Sequence, residues 1–279
     1  MKKQTSQKLS RVATYFLLSV GLVIVTLPFW YMLVTSLKPQ SFIFEIPPRL
    51  WPTKITLHNY LTALQKDSFG LYFLNSLFVA ICSTIATIFV SSMLAYAFAR
   101  LDFPGKELIF YILLLGMMIP PVMLIIPQFI IAKQLAILDK FIGLIVVYIT
   151  MNLSGQTFLL RGFFEGIPKE IEEAALIDGA SRLQIFWHII FPLSKPGIAV
   201  VTIFTFLYSW DEFPWAHVAM KETTKRTLPI AIALFQSQHL TEWGQVFAAS
   251  IVSLIPIVIV FIVFQRYFIQ GISTTGIKG

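Results

Sequence analysis

Hydrophobic positions in this chain come in long uncharged blocks, not in the alternation of a strand or the two-faced pattern of a soluble helix. A helix that crosses a bilayer needs about 20 apolar residues. Uncharged windows of that order occur at 12–37, 68–99, 108–132, 141–160 and 243–265. A further window at 197–220 is interrupted by Asp211 and Glu212. Shorter apolar stretches at 183–194 and 227–241 suit helices lying in the interface. The pattern therefore predicts an all-α integral membrane protein with six transmembrane helices. It occupies a single domain over 1–279, with a first span at 12–37 and a five-span core over 70–270. Prolines within the windows (Pro28, Pro120, Pro121, Pro127, Pro256) predict kinks. The connection from 38 to 70 is rich in Pro and aromatics (Pro47, Pro48, Trp51, Pro52) and predicts an ordered cap.

An even number of spans puts both termini on one side. Of the 21 Lys and Arg, 12 fall at the N-terminus, the 100–106 turn, the 161–195 loop and the C-terminal end, and the rest are spread over more residues. That density assigns the first set, with the N- and C-termini, to the cytoplasm of a multi-pass membrane protein.

Composition supports lipid as the solvent. The chain is 57% apolar and 13% charged, against roughly 25% charged in soluble domains. The formal charge of +7 flanks apolar blocks, so it reads as membrane topology and excludes nucleic acid as a partner. The basic start resembles a signal peptide, but the uncharged run after it is too long for an h-region and reads as a retained span. A lone Cys82 leaves no disulfide framework. His58, His188, His217 and His239 lack the spacing of a metal site.

One polar segment stands out inside the apolar sequence, at 168–192. Pro168 suits a first helical turn, and Glu170, Glu172 and Glu173 follow at the positive end of the helix dipole. Ile171, Ala174 and Ala175 predict one small apolar face. Gly179 supplies a left-handed terminus, and Ser181 with Gln184 predicts a capping box for a second helix. Leu183, Phe186, Trp187 and Ile190 form an amphipathic stripe, and Pro192 stops it. Two short helices with a fixed elbow result; a plain connecting loop or an interfacial anchor is the competing reading.

Within the spans, Tyr148, Asn152 and Gln156 stack at i, i+4 and i+8, within an arc of about 80°, and Gly155 beside them leaves room for a ligand. Thr202, Thr205, Ser209 and Glu212 share a face in the interrupted window. Such residues serve either a solute or interhelical hydrogen bonding. Two other classes are open on these residues: an ion-coupled secondary carrier, and an intramembrane enzyme using Asp211 and Glu212 as acid and base.

Glu173-Ala174-Ala175, three residues, Gly179, nine residues, then Ile189-x-x-Pro192 resembles the cytoplasmic loop signature of permease subunits of binding-protein-dependent ABC importers. That family usually has Leu before the Pro, where this chain has Phe191. The run Ala95-Tyr96-Ala97-Phe98-Ala99-Arg100 with Phe103-x-Gly105-Lys106, the segment Trp210-Asp211-Glu212-Phe213 and the tail 271–279 are similar to the smaller permease subunit of maltose-type carbohydrate importers. The resemblance implies the type I importer permease fold and one half of a channel. A second permease subunit would complete it as a heterodimer, two ABC ATPase subunits would drive it, and an extracytoplasmic solute-binding protein would deliver the solute. It implies that 168–192 is a coupling-helix pair seated in an ATPase groove. There Glu173 pairs with a basic residue, Ala174 and Ala175 permit close approach, and Gly179 makes the turn, with Arg182 and Pro192 in the same element. Tyr148, Asn152, Gln156, Ser209 and Glu212 are the expected solute path for a sugar, oligosaccharide, polyol, glycoside or glycerol phosphate. The tail segment Gly271–Lys278 is a near miss for a phosphate-binding loop, so ATP hydrolysis is expected on another chain. No catalytic residue or cofactor is expected on this one.

Overall fold

The computed structural model describes residues 2–47, 49–65, 68–235 and 241–275, and among them it is helical with no strand. Pro48, His239 and the tail signature from 276 onward lie outside the described residues. The chain folds as two compact units. One comprises Met1–Phe69 with Ile232–Leu254, the other Gly70–Ala231 with Ile255–Gly279.

In the first unit, α1 (Lys2–Ser36) is followed by a long connection and by α2 (His58–Gln65). The helix's last carbonyls have no intrahelical partner, and α2 answers that need. Asn59 Nδ2 donates to Ser36 O at 2.8 Å and to Lys38 O at 2.7 Å. The connection itself is tied down: buried Lys38 donates its Nζ to Arg49 O at 2.8 Å. Trp51 meets Trp30 edge-on at 4.9 Å. The Pro- and aromatic-rich sequence thus forms ordered loop structure by covering the end of α1 with its own rings and amides.

The second unit holds most of the other helices. These are α3 (Phe69–Arg100, from Gly70), α4 (Lys106–Leu115), α5 (Ile125–Gln134), α6 (Phe141–Glu165), α7 (Lys169–Ile177), α8 (Arg182–Ile185), α9 (Phe191–Leu193), α10 (Lys195–Asp211) and α11 (Pro214–Ala219). Two further helices, α12 (Leu228–Leu234) and α13 (Trp243–Thr275), run across the division. Of these, α6 is the spine, about 37 Å long at the α-helical rise. One buried cluster, with Leu160, Phe164, Ile185, Phe186, Ile190 and Val201, packs along its C-terminal half. Another, with Leu144, Tyr148, Trp215, Ala216 and Met220, packs along its N-terminal half. Close packing of α10 on α6 requires Gly197, where a Cβ would lie 2.7 Å from Phe163 Cγ.

Among the described residues, four helices are long and apolar enough to cross a membrane unbroken: Arg11–Ser36, Phe69–Arg100, Phe141–Glu165 and Trp243–Tyr267. The other two predicted windows differ from straight spans. The 108–132 window bends by 98° between Lys106–Met118 and Pro121–Gln134. Ile119 and Pro120 are extended there, because each residue before a proline is pushed out of the helical region. The 197–220 window starts earlier, at Lys195, and its helix ends at Asp211, where Glu212 turns extended before α11 begins with Pro214. Arg182–Leu193 joins α10 at a bend of 77°, and each bent pair counted as one span gives six.

Candidate functional site

The 168–192 element folds through local hydrogen bonding. Pro168 stands just outside α7 as its N-cap, one position before the predicted place, and Lys169 opens the helix. At the other end Gly179 adopts φ +83°, with its N–H on Leu176 O at 3.0 Å and that of Ala180 on Ala175 O at 2.9 Å. These two bonds are the left-handed helix terminus that glycine favours. The capping box is present: Gln184 N–H donates to Ser181 Oγ, and Ser181 N–H to Gln184 Oε1 at 2.8 Å.

Pro192 does not stop the second helix. Its missing N–H and its ring would leave the His188 carbonyl unpaired and crowded. The chain widens instead into a π-turn over Phe186–Ile190, with Phe191 N–H reaching Phe186 O, and continues through Pro192 to Leu193. The wider turn rotates the register. The buried face becomes Ile185, Phe186 and Ile190, while Leu183 is exposed and Trp187 lies at the margin, stacked on Phe89. The small apolar face predicted on α7 is also open: Ile171 and Ala174 are exposed, and Ala175 is half-buried.

Adjacent glutamates on α7 point to different surroundings. Glu173 is exposed. Glu172 is buried against Arg100, whose Nε lies 2.6 Å from Glu172 Oε1; their side chains are only 5% and 3% exposed. Glu172 Oε2 faces the Tyr96 hydroxyl at 3.5 Å and Arg182 at 3.8 Å, with Arg182 half-exposed. Arg100 also donates through one terminal nitrogen to Phe164 O and Ile167 O, both at 2.6 Å. A single guanidinium at the end of α3 thus holds the end of α6, the linker after it and α7. Sequence reasoning named Arg100 only within a family run and Glu172 only as a first-turn acid. Their pairing has no local signal.

The five residues expected along the solute path do not form one wall. Tyr148 is fully buried and donates its hydroxyl to Glu212 Oε2 at 2.8 Å. Asn152 donates to its own helix, at Tyr148 O, 2.8 Å away. Gln156 Oε1 and Ser209 Oγ are buried without a hydrogen-bonding partner among the described residues. Met117 borders Gly155, its Cε lying 3.7 Å from where a Cβ would be, an ordinary contact distance. Glu212 is not on the α10 face with Thr205 and Ser209. It sits at the break, and its carboxylate accepts the N–H of Trp215 at 2.7 Å and of Ala216 at 3.0 Å.

Of the five, Glu212 lines a cavity. The space, about 420 Å³, is walled by Gln128, Tyr208, Asp211, Glu212, Phe213 and Trp215, with Pro121, Pro214 and apolar side chains completing it. That volume is within the range of about 300–1,000 Å³ usual for small-ligand sites. The carboxylate of Asp211 has no hydrogen-bonding partner among the described residues, and Gln128 Oε1 and Trp215 Nε1 are buried and unpaired. No Lys or Arg is in the lining. Gln128, Tyr208 and Trp215 were missed because they come from three separate elements, set by the bend between Met118 and Pro121 and by the break after Asp211. A larger space of about 750 Å³, lined by Phe73, Ile85, Phe206, Ile259 and similar side chains, has only Thr84, Thr202 and the indole of Trp187 as polar side chains.

Comparison with known proteins places these features. The family model described as binding-protein-dependent transport system inner membrane component matches residues 87–274. The inner membrane ABC transporter permease protein YcjP of Escherichia coli is 34% identical over 274 residues, covering 97% of this chain and 98% of that protein. The diacetylchitobiose uptake system permease protein DasC of Streptomyces coelicolor is 33% identical over 279 residues, covering both chains completely. In a crystal structure of a bacterial ABC transporter that imports the acidic polysaccharide alginate, one chain superposes with a TM-score of 0.79 at 25% identity, over 94% of this chain and 98% of that one.

Proposed function

The chain belongs to the inner membrane components of binding-protein-dependent transport systems, and from that premise we propose that it forms half of an ATP-driven pathway for a neutral, hydroxyl-rich, sugar-like solute. It is a permease with the type I importer fold, not an enzyme. A second permease subunit completes the pathway, two ATPases bind on the cytoplasmic side, where both termini lie, and an extracytoplasmic binding protein delivers the solute. The exposed face of α7 with Glu173 and Ala174, and the elbow at Gly179, seat in one ATPase.

The observation that carries the solute class is the lining of the Glu212 cavity. Carboxylates accept hydrogen bonds from hydroxyl groups, aromatic faces cover the apolar side of a sugar ring, and amide and indole groups supply further bonds. Two acids without a cation repel a phosphate or a uronate. An ion-coupled carrier or an enzyme has less support: Glu212 is already engaged by three donors, which hold it as a fixed acceptor.

Proteoliposomes containing the two permeases and the ATPases, supplied with binding protein and ATP, test this reading. Neutral glycosides should be taken up, and Asp211→Asn should raise the transport KM about tenfold, the loss of one charge-assisted hydrogen bond, with assembly unchanged. Uptake by the chain alone, driven by a proton or sodium gradient, overturns the reading.

A further inference from the structure

We propose that Arg100 and Glu172 form the joint through which movement of the α7 elbow reaches the membrane helices, so that this pair, rather than the exposed Glu173, sets how tightly ATP hydrolysis is coupled to transport. The inference rests on the ABC reading above and deepens it.

Three observations carry it. First, α7 has little apolar attachment of its own, since Ile171, Ala174 and Leu176 are exposed and Ala175 is half-buried. A helix with so small a buried face would hinge freely about its ends. Second, the one deeply buried side chain of α7 is Glu172, and its close partner is the guanidinium of Arg100 at 2.6 Å. Third, Arg100 is itself committed to the carbonyls of Phe164 and Ile167. The guanidinium thus pairs with the carboxylate by charge while one terminal nitrogen donates to the two carbonyls. The second helix of the element is bound separately, by Ile185, Phe186 and Ile190 in the apolar cluster with Tyr96. A displacement of α7 therefore pulls on α3 and α6 through an ion pair that water does not screen. Arg182, at 3.8 Å, adds a second positive charge at the open edge of Glu172. The two neighbouring acids divide the work: Glu173 faces outward to a partner, and Glu172 faces inward to the core.

The test uses the assembled transporter in proteoliposomes and reads two quantities, ATPase subunits retained on purification and solute imported per ATP hydrolysed. Glu172→Gln should insert and retain the ATPases, yet import per ATP should fall about fivefold or more, the lower end of typical coupling between sites. Glu173→Gln should act chiefly on assembly, with weaker retention of the ATPases than in Glu172→Gln. Glu172→Asp, which keeps the charge, should recover most of the coupling. If Glu172→Gln fails to insert, Arg100→Lys carries the same test. It keeps the positive charge but lacks the fork, and it should assemble with import per ATP reduced. Parental import per ATP in assembled Arg100→Lys or Glu172→Gln transporters overturns the proposal, as does ATPase loss from either that equals the loss in Glu173→Gln. The parental complex, measured alongside, separates this from the broader reading. Absence of ATP-dependent uptake there would remove the ABC assignment itself.

Discussion

Glu172 and Glu212 are two glutamates of one folded unit, and the chain accommodates them in opposite ways. Glu172 is enclosed and neutralised by a guanidinium, with a second arginine nearby. Glu212 is half-buried and meets no cation; a tyrosine hydroxyl and two backbone N–H groups hold it beside a cavity. A charge compensated by a charge is closed to further ligands and is mechanically stiff. A charge compensated by dipoles keeps its negative field and can accept hydrogen bonds from a solute. The first arrangement suits transmission of force, the second recognition of hydroxyl groups.

The largest break in this comparison is Arg100→Met. It removes the partner of a buried carboxylate and the donor for two carbonyls, and breaking one side of such a pair costs about 3–5 kcal/mol. A thermal-unfolding assay of the assembled complex should show a marked drop in Tm; an unchanged Tm would mean that water reaches Glu172. A smaller effect is expected at the other glutamate. Tyr148→Phe deletes one hydrogen bond to a carboxylate that retains two backbone donors, a loss of about 1.5–3 kcal/mol. Stability should fall by that amount while import per ATP holds, because the contact lies away from the joint. The smallest effect on folding sharpens the contrast between neighbours. Glu173→Lys changes an exposed residue and should alter stability by no more than about 0.5 kcal/mol, yet it should reduce co-purification of the ATPases. Normal ATPase retention in this variant would remove Glu173 from the docking surface.

The elbow shows how much was legible from local sequence. Gly179, Ser181 and Gln184 act through hydrogen bonds to residues within a few positions, so their types and spacing specify the turn and the cap. Pro192 shows the limit of the same reasoning. Proline chemistry predicts that the regular bonding pattern must fail nearby, but whether the helix ends or widens depends on what it packs against. Here Ile185, Phe186 and Ile190 fit a cluster formed with α3, α6 and α10, and the packing favours a π-turn over a stop.

What the sequence by itself determined about this protein is what local composition and short-range bonding control. Uncharged blocks of sufficient length require lipid, because transfer from water is a sum over neighbouring side chains. The loop signature likewise identified the permease family from residues near one another. Tertiary structure decided which polar groups meet. Arg100 reaches Glu172 because α3 and α6 end side by side, and Gln128 faces Asp211 and Glu212 across a cavity because the chain bends by 98° after Met118. It also set Tyr148 against Glu212 and Met117 beside Gly155. Hydropathy predicts that an acid in a membrane helix must find a partner or a wet cavity; which of these it meets depends on helix packing and bend geometry, and the contacts join residues far apart in the chain.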